Sequence, residues 1–191
     1  MRSVVPHRGK SIRPPACLFG VVLSLVLGSP LRAQDGRPAY ELKAAVVSKF
    51  PEFTEWPDSV FASRRTIDIC VVRPNPFGQT LADLVTGETL RGRALLVRDV
   101  ADTRSLESCH VLFVAGRSSL DSKDILAHTK TLPILTIGES ADFLDQGGIV
   151  SLRIVEGRVR FDVNLEAANR AGVRLSSQLL RLAQRIRGGQ Q

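Results

Sequence analysis

The chain has 191 residues, with 26 Lys and Arg against 19 Asp and Glu and a formal charge of +7. Five of the basic residues and none of the acidic ones fall within positions 1–33, so the other 158 residues carry 21 basic and 19 acidic side chains and are close to neutral. With 5% aromatic residues and no basic run interleaved with them, the composition gives no argument for nucleic-acid binding, and 158 residues are the size of one domain.

An export signal is expected at the start. Arg2, Arg8, Lys10 and Arg13 precede an apolar run from Ala16 to Gly28, and Ser29-Pro30-Leu31-Arg32-Ala33 follows it. A basic start, a short apolar segment and a small residue at the cut form a secretory pattern. The run is shorter than the roughly 20 residues of a membrane span. Cleavage after Ala33 and residence in a bacterial periplasm are the expectations, with an uncleaved anchor as the alternative. That leaves a domain over 34–187 and a frayed tail over 188–191.

Pro38 to Trp56 reads as a helix with Ala39, Leu42, Ala45 and Val46 at helical spacing. Pro51 kinks or stops it, and Trp56-Pro57 ends the segment. Thr66–Val72 is the first strand, followed by a rigid loop at Pro74-Asn75-Pro76-Phe77-Gly78 and a short helix over Gln79–Val85. Ala94–Val100 is the second strand, and Cys109–Ala115, apolar throughout, is the third, covered on both faces. A helix over Ser119–Lys130, capped by Ser119 or Asp121, leads to a fourth strand, Pro133–Ile137. After a turn at Gly147-Gly148, Ile149–Val155 and Arg158–Val163 flank the two-residue loop Glu156-Gly157 as an antiparallel hairpin. Asn164 caps a helix over Leu165–Arg170 that Gly172 closes. Ser176 or Ser177 caps the last helix, with Leu179, Leu180, Leu182, Ala183 and Ile186 on one face. The predicted fold is α/β: one domain, a mixed sheet between helical layers, and an antiparallel hairpin near the C-terminus followed by a terminal helix.

Cys70 and Cys109 are the two cysteines after the export signal. An oxidising compartment favours a disulfide between them. No nearby His or Cys completes a metal site, and a pair of buried free thiols is the alternative. If the first and third strands are neighbours, the two cysteines meet at strand ends.

Catalytic equipment is sparse. His110 and His128 are the only histidines after residue 33, and G-x-S-x-G, H-E-x-x-H and G-x-G-x-x-G are all absent from the sequence. Gly87 and Gly92 have the spacing of two phosphate-loop glycines, but they lack the Lys and precede a strand, so they read as turn glycines. His110 lies in an apolar strand and reads as a hydrogen-bonded core histidine. The pairs Asp142/Asp145 and Glu52/Glu55 read as solvated or capping residues. No enzyme activity, cofactor or metal is expected.

Several stretches together resemble the YfiR family of exported bacterial proteins. They are Glu41-Leu42-Lys43-Ala44-Ala45 leading to Phe50, then Phe53-Thr54-Glu55-Trp56-Pro57, Ile69-Cys70-Val71 and Asn75-Pro76-Phe77-Gly78. Cys109-His110-Val111-Leu112-Phe113 and Leu135-Thr136-Ile137-Gly138 continue the series. Phe143 with Gly147-Gly148-Ile149, Arg160-Phe161-Asp162-Val163-Asn164-Leu165, Ala167-Ala168, Ala171-Gly172 and Leu175–Leu180 complete it over residues 40–184. The resemblance implies a periplasmic α/β homodimer that represses a membrane diguanylate cyclase through its periplasmic region, lowering cyclic di-GMP and biofilm formation. It also implies an outer-membrane lipoprotein that sequesters the repressor. Another membrane receptor in place of the cyclase, or a role as small-molecule sensor or carrier with a receptor or transport system, is the alternative. The better-known inhibitor resembles a protein with two disulfides, whereas this chain has cysteines for one. Pro51 interrupts a helix that commonly continues in related sequences.

Trp56, Asn75, Pro76 and Phe77 are the candidate partner or ligand surface. Trp56 either packs the first helix on the sheet or anchors an interface. The loop at Asn75–Phe77 follows a strand end, where α/β sheets bind ligands. Gly147, Gly148, Phe161 and Asn164 are structural: the glycines supply positive φ, Phe161 faces the core or water in alternation with Arg160, and Asn164 caps a helix.

Overall fold

Three apolar runs, Thr66–Val72, Val111–Val114 and Leu135–Gly138, form the centre of an eight-stranded sheet because each is buried on both faces and its branched residues suit the pleat. The computed structural model describes residues 37–62 and 64–189. The expected export signal over 1–33 and the last two residues of the expected tail lie outside the described residues. In chain order the elements are α1 (Arg37–Val47), β1 (Thr54–Glu55), β2 (Thr66–Val72), α2 (Thr80–Val85), β3 (Thr89–Leu90) and β4 (Arg93–Val100). They continue with β5 (Val111–Val114), α3 (Ser122–Thr129), β6 (Leu135–Gly138), β7 (Val150–Val155), β8 (Arg158–Asn164) and α4 (Leu165–Arg170). The last are β9 (Arg174–Leu175), α5 (Ser177–Leu182) and β10 (Arg185–Arg187).

The sheet order is β10-β8-β7-β6-β5-β2-β4-β3, and β1 pairs separately with β9. Pairings from β4 through β7 are parallel, while β7–β8 and β3–β4 are antiparallel hairpins. This is the mixed α/β sheet expected from the sequence. Alternation along β2 and β5 sorts side chains between two cores. Ile67, Ile69, Val71, Val111 and Phe113 pack with residues of α1, α2, α4 and α5. Cys70, Val72, Leu112 and Val114 pack on the opposite face with Ile125 and Leu126 of α3 and with Leu106.

Cys70 and Cys109 are joined by a disulfide on the α3 face. Cys70 lies within β2, where its register partner on β5 is Leu112, and Cys109 precedes β5. The bond therefore crosses between the neighbouring strands, with one cysteine inside a strand instead of both at strand ends. Pro51 acts as anticipated: α1 ends at Val47, and a 3-10 turn at Phe50–Phe53 carries Pro51 in its first positions. Asp121, and not Ser119, caps α3 by accepting from Lys123 N at 2.7 Å. Asn164 caps α4 by accepting from Ala167 N at 3.0 Å, and its amide donates to Leu144 O at 3.2 Å.

The end of the chain departs from the expected long helix. Helix α5 stops at Leu182, Ala183 is extended, and Arg185–Arg187 lies parallel to β8. Ile186 thus sits on an edge strand and not on the helix face. Pairing satisfies backbone groups that β8 would otherwise expose along its outer edge. Arg153 locks this junction by donating to Asp162 at 2.6 and 3.2 Å and to Gln184 at 2.5 Å.

The glycine pair also differs from its expected role. Gly147 has φ +100°, but Gly148 is needed for space: a Cβ there would lie 2.2 Å from the Phe143 ring and 2.8 Å from the Phe143 carbonyl. A Cβ at Gly138 would also lie 2.2 Å from that ring. Phe143, 1% exposed, is therefore wedged between two glycines. Phe161 is buried and meets Phe50 edge-on, 5.5 Å between centroids.

The disulfide closes a span of 39 residues, so loop entropy gives it about 4 kcal/mol of stabilisation. Urea titrations should show a loss of that order in the Cys70→Ala/Cys109→Ala protein, and a midpoint indifferent to reductant would refute it. Gly138→Ala should cost about 1–3 kcal/mol by overpacking and Phe143→Ala about 3–5 kcal/mol by cavity formation. The double substitution should cost clearly less than their sum, because the added methyl enters the space the ring vacates. Simple additivity in denaturant unfolding would rule out the wedge.

Candidate functional site

The chain runs from β2 outward to β4, then steps back across β2 to β5 and onward to β6. The reversal places the topological switch point beyond the carboxyl ends of β2 and β5, where α/β sheets form binding crevices. Asn75, Pro76 and Phe77 stand there, after a cis Arg73–Pro74 bond. Asn75 shapes the loop from within: its Oδ1 accepts from Phe77 N at 2.9 Å, and its Nδ2 donates to Asp99 Oδ1 at 2.8 Å. Phe77 is buried against Phe113 and Tyr40, with centroids 4.6 and 5.8 Å away.

Helix α1 closes much of this crevice through Glu139, at the end of β6. Tyr40 Oη and Gly116 N each donate to Glu139 Oε2 at 3.0 Å, and Lys43 Nζ pairs with Oε1. Burial, then the charge and hydrogen bond of Glu139, push the Tyr40 hydroxyl up to about 12. The Lys43 ammonium also lies 4.7 Å from the Tyr40 ring. What stays open is a cleft of about 500 Å³ lined by Arg37, Tyr40, Glu41 and residues 75–80. Sequence reasoning missed the Tyr40–Lys43–Glu139 clamp, because its members are 96 and 99 residues apart and none is part of a chemical motif.

Trp56 belongs to the other end of the sheet. It is 7% exposed and donates from Nε1 to the carbonyl of His110, just before β5, at 3.2 Å. The four candidate surface residues therefore do not form one patch: three border the carboxyl-end crevice, and Trp56 is at the amino end. The edge of Trp56 lines a separate groove of about 450 Å³ between the β1 segment and the α4–β9 turn.

His110 is a junction of backbone and ring. Its N donates to Asp68 O at 2.9 Å, and its carbonyl accepts from Leu135 N at 2.9 Å as well as from Trp56. Its Nδ1 accepts from Asp68 N at 3.0 Å, which places the proton of the neutral ring on Nε2. The ring is fully buried, stacks on Phe61 at 5.1 Å and meets Trp56 edge-on. Burial foremost, then the charges of Arg64 and Arg93, push its pKa down to about 4 despite Asp68. A ring already committed to a backbone amide and held neutral is unsuited to general-base work. Among the described residues, no group of three or more His, Cys, Asp or Glu is placed to hold a metal ion, and no helix is long and apolar enough to cross a membrane.

Protonation of His110 should couple to unfolding. The folded pKa near 4 lies below the ordinary 6.5, so the stabilisation is complete above pH 6.5 and is lost as pH falls towards 4. The loss is on the order of 3 kcal/mol. Urea titrations at pH 7 and pH 4.5 should show a smaller pH effect in His110→Gln than in the parent. Equal pH effects in the two proteins would remove His110 as the cause.

The chain resembles two solved structures at low identity. A conserved domain protein from Vibrio cholerae matches with a TM-score of 0.48 and 10% identity, covering 78% of this chain and 60% of that one. An ABC domain from Streptococcus pneumoniae, solved in complex with L-Trp, matches with a TM-score of 0.48 and 11% identity over the same shares. This chain thus spans about 60% of the length of each. The match that identifies it is to a family: residues 40–184 fit the YfiR/HmsC-like pattern, from Tyr40 of the clamp through α5. The protein belongs to the YfiR/HmsC-like family.

Proposed function

We propose that this chain is an exported regulatory binding protein. It docks on the periplasmic region of an inner-membrane signalling protein, a diguanylate cyclase first among them, and represses it. Cyclic di-GMP synthesis and biofilm formation fall as a result. The observation that carries this reading is the family match over residues 40–184. The state of the reactive side chains supports binding over chemistry: both cysteines are bonded to each other, and His110 is committed to Asp68. Repression requires tighter binding to the inactive than to the active partner, because only differential affinity shifts an equilibrium. The contact surface in this reading is the outer side of α1 and α2, where Leu42 and Leu84 are 45% and 44% exposed, together with the half-buried rim at Asn75 and Pro76. A homodimer, and an outer-membrane lipoprotein that sequesters it, complete the proposal.

Tagged protein recovered from gently solubilised membranes should bring down a diguanylate cyclase whose activity falls when the protein is added. The pair Leu42→Asp and Leu84→Asp should cut that recovery at least tenfold without lowering the melting temperature. Recovery of no membrane signalling protein would overturn the reading. The cleft of about 500 Å³ at the switch point favours small-molecule sensing as a second reading. A ligand for it should raise the melting temperature in proportion to the logarithm of its concentration.

A further inference from the structure

Four arginines converge at the amino end of the sheet. Arg64 and Arg65 enter β2, while Arg91 and Arg93 belong to the β3–β4 hairpin. Parallel pairing that begins at Thr66 opposite Ala94 sets the two groups side by side. Together with Phe61 they line a cleft of about 510 Å³ in which no acidic residue takes part. Outside the export signal the chain is nearly neutral, so this concentration of charge is not its average surface.

The positions of two of these cations are set by uncharged partners. Arg64 donates to the carbonyls of Ser108 and Glu107 at 2.9 and 2.8 Å. The Arg93 guanidinium lies 4.2 Å from the centroid of the Phe61 ring. Among the described residues, none of the four arginines has a carboxylate within ion-pair distance. Arg91 occupies the left-handed region at φ 52°, followed by Gly92 at φ 76°. The other two-residue hairpin has the same conformation at Glu156 and Gly157, so the turn itself does not demand a cation. Behind Phe61, the buried His110 Nε2 has no hydrogen-bond partner among the described residues.

Guanidinium forks match phosphate oxygens in charge and geometry. Four of them around one cleft repel each other until an anion enters. A phosphate-bearing anion offsets more of that repulsion than a single carboxylate does. Apart from Phe61, whose ring is already packed by Arg93 and His110, the cleft offers little apolar surface for an acyl chain or a peptide side chain. We propose that the cleft formed by Phe61, Arg64, Arg65, Arg91 and Arg93 is a binding site for a phosphate group, carried by a soluble phosphomonoester or by a lipid headgroup. This site is separate from the α1–α2 surface and does not depend on it.

The test combines Arg65→Gln with Arg91→Asn. Neither the Arg65 nor the Arg91 side chain takes part in the contacts that anchor Arg64 and Arg93. Arg93 Nη1 donates to the Arg91 backbone carbonyl at 3.3 Å, which Asn retains. Asn also suits a left-handed turn position, so the variant should keep the parent melting temperature. Calorimetric titration with glycerol 2-phosphate and pelleting with phosphatidylglycerol against phosphatidylcholine vesicles separate the two sources. Saturable binding of glycerol 2-phosphate that weakens at least tenfold in the variant supports a soluble ligand. Pelleting with phosphatidylglycerol alone, lost in the variant and competed by inorganic phosphate, supports a headgroup. Absence of both, binding unchanged in the variant, or binding only to a polyglutamate peptide would overturn the proposal.

Discussion

Everything at the amino end of this sheet depends on keeping His110 uncharged. A neutral ring can accept the Asp68 amide, while the backbone of the same residue bonds β2, β6 and Trp56, so four parts of the chain meet at a single point. Protonation would turn the acceptor into a donor facing another donor, inside a site already under the field of Arg64 and Arg93. The aromatic neighbours follow from this: Phe61 and Trp56 exclude water from the ring and so hold its charge off.

The carboxyl end uses the opposite device. There a charge is kept, and it is surrounded by donors: the Glu139 carboxylate takes Tyr40, Lys43 and a backbone amide. This pins the first helix across the place where an open α/β sheet would otherwise present its crevice. Between the two ends, the disulfide ties β2 to the entry of β5 on the α3 face. On the α1 face, packing through Phe50, Phe77, Phe113 and their neighbours adds to the Glu139 contacts of the first helix.

Strands and turns were legible where a single local force sets them. Thr66–Val72 is branched and apolar and matches β2 residue for residue. Glu156-Gly157 between alternating runs defined the hairpin, and Pro51 marked the end of α1. The disulfide needed only a count of cysteines and a compartment. What could not be read depends on distant partners. Leu179 to Ile186 continues a helical apolar pattern, yet the open edge of β8 draws Arg185–Arg187 into a strand. Gly148 looks like any turn glycine until the Phe143 ring is placed against it. Trp56 was a candidate for contact because a tryptophan can anchor an interface, and Phe77 because its loop follows a strand end, but the fold brings a carbonyl to one and two rings to the other. The arginines at the amino end fall in two clusters separated by the whole of β2 and α2, and only parallel register joins them.

The two margins of the sheet have a bearing on how this protein meets others. One margin is the two-residue β3 and the other the three-residue β10, which reads Arg-Ile-Arg. Neither short strand offers a long ladder of its own, and the charges on β10 repel a second copy laid alongside. However, β3 pairs only with Arg93 and Ala94, so among the described residues no strand covers the outer edge of β4 over Leu96–Asp99. Backbone zippering is thereby confined to that stretch of β4. Elsewhere recognition is left to the side chains on the faces and ends of the sheet, where single substitutions can tune it without disturbing the ladder.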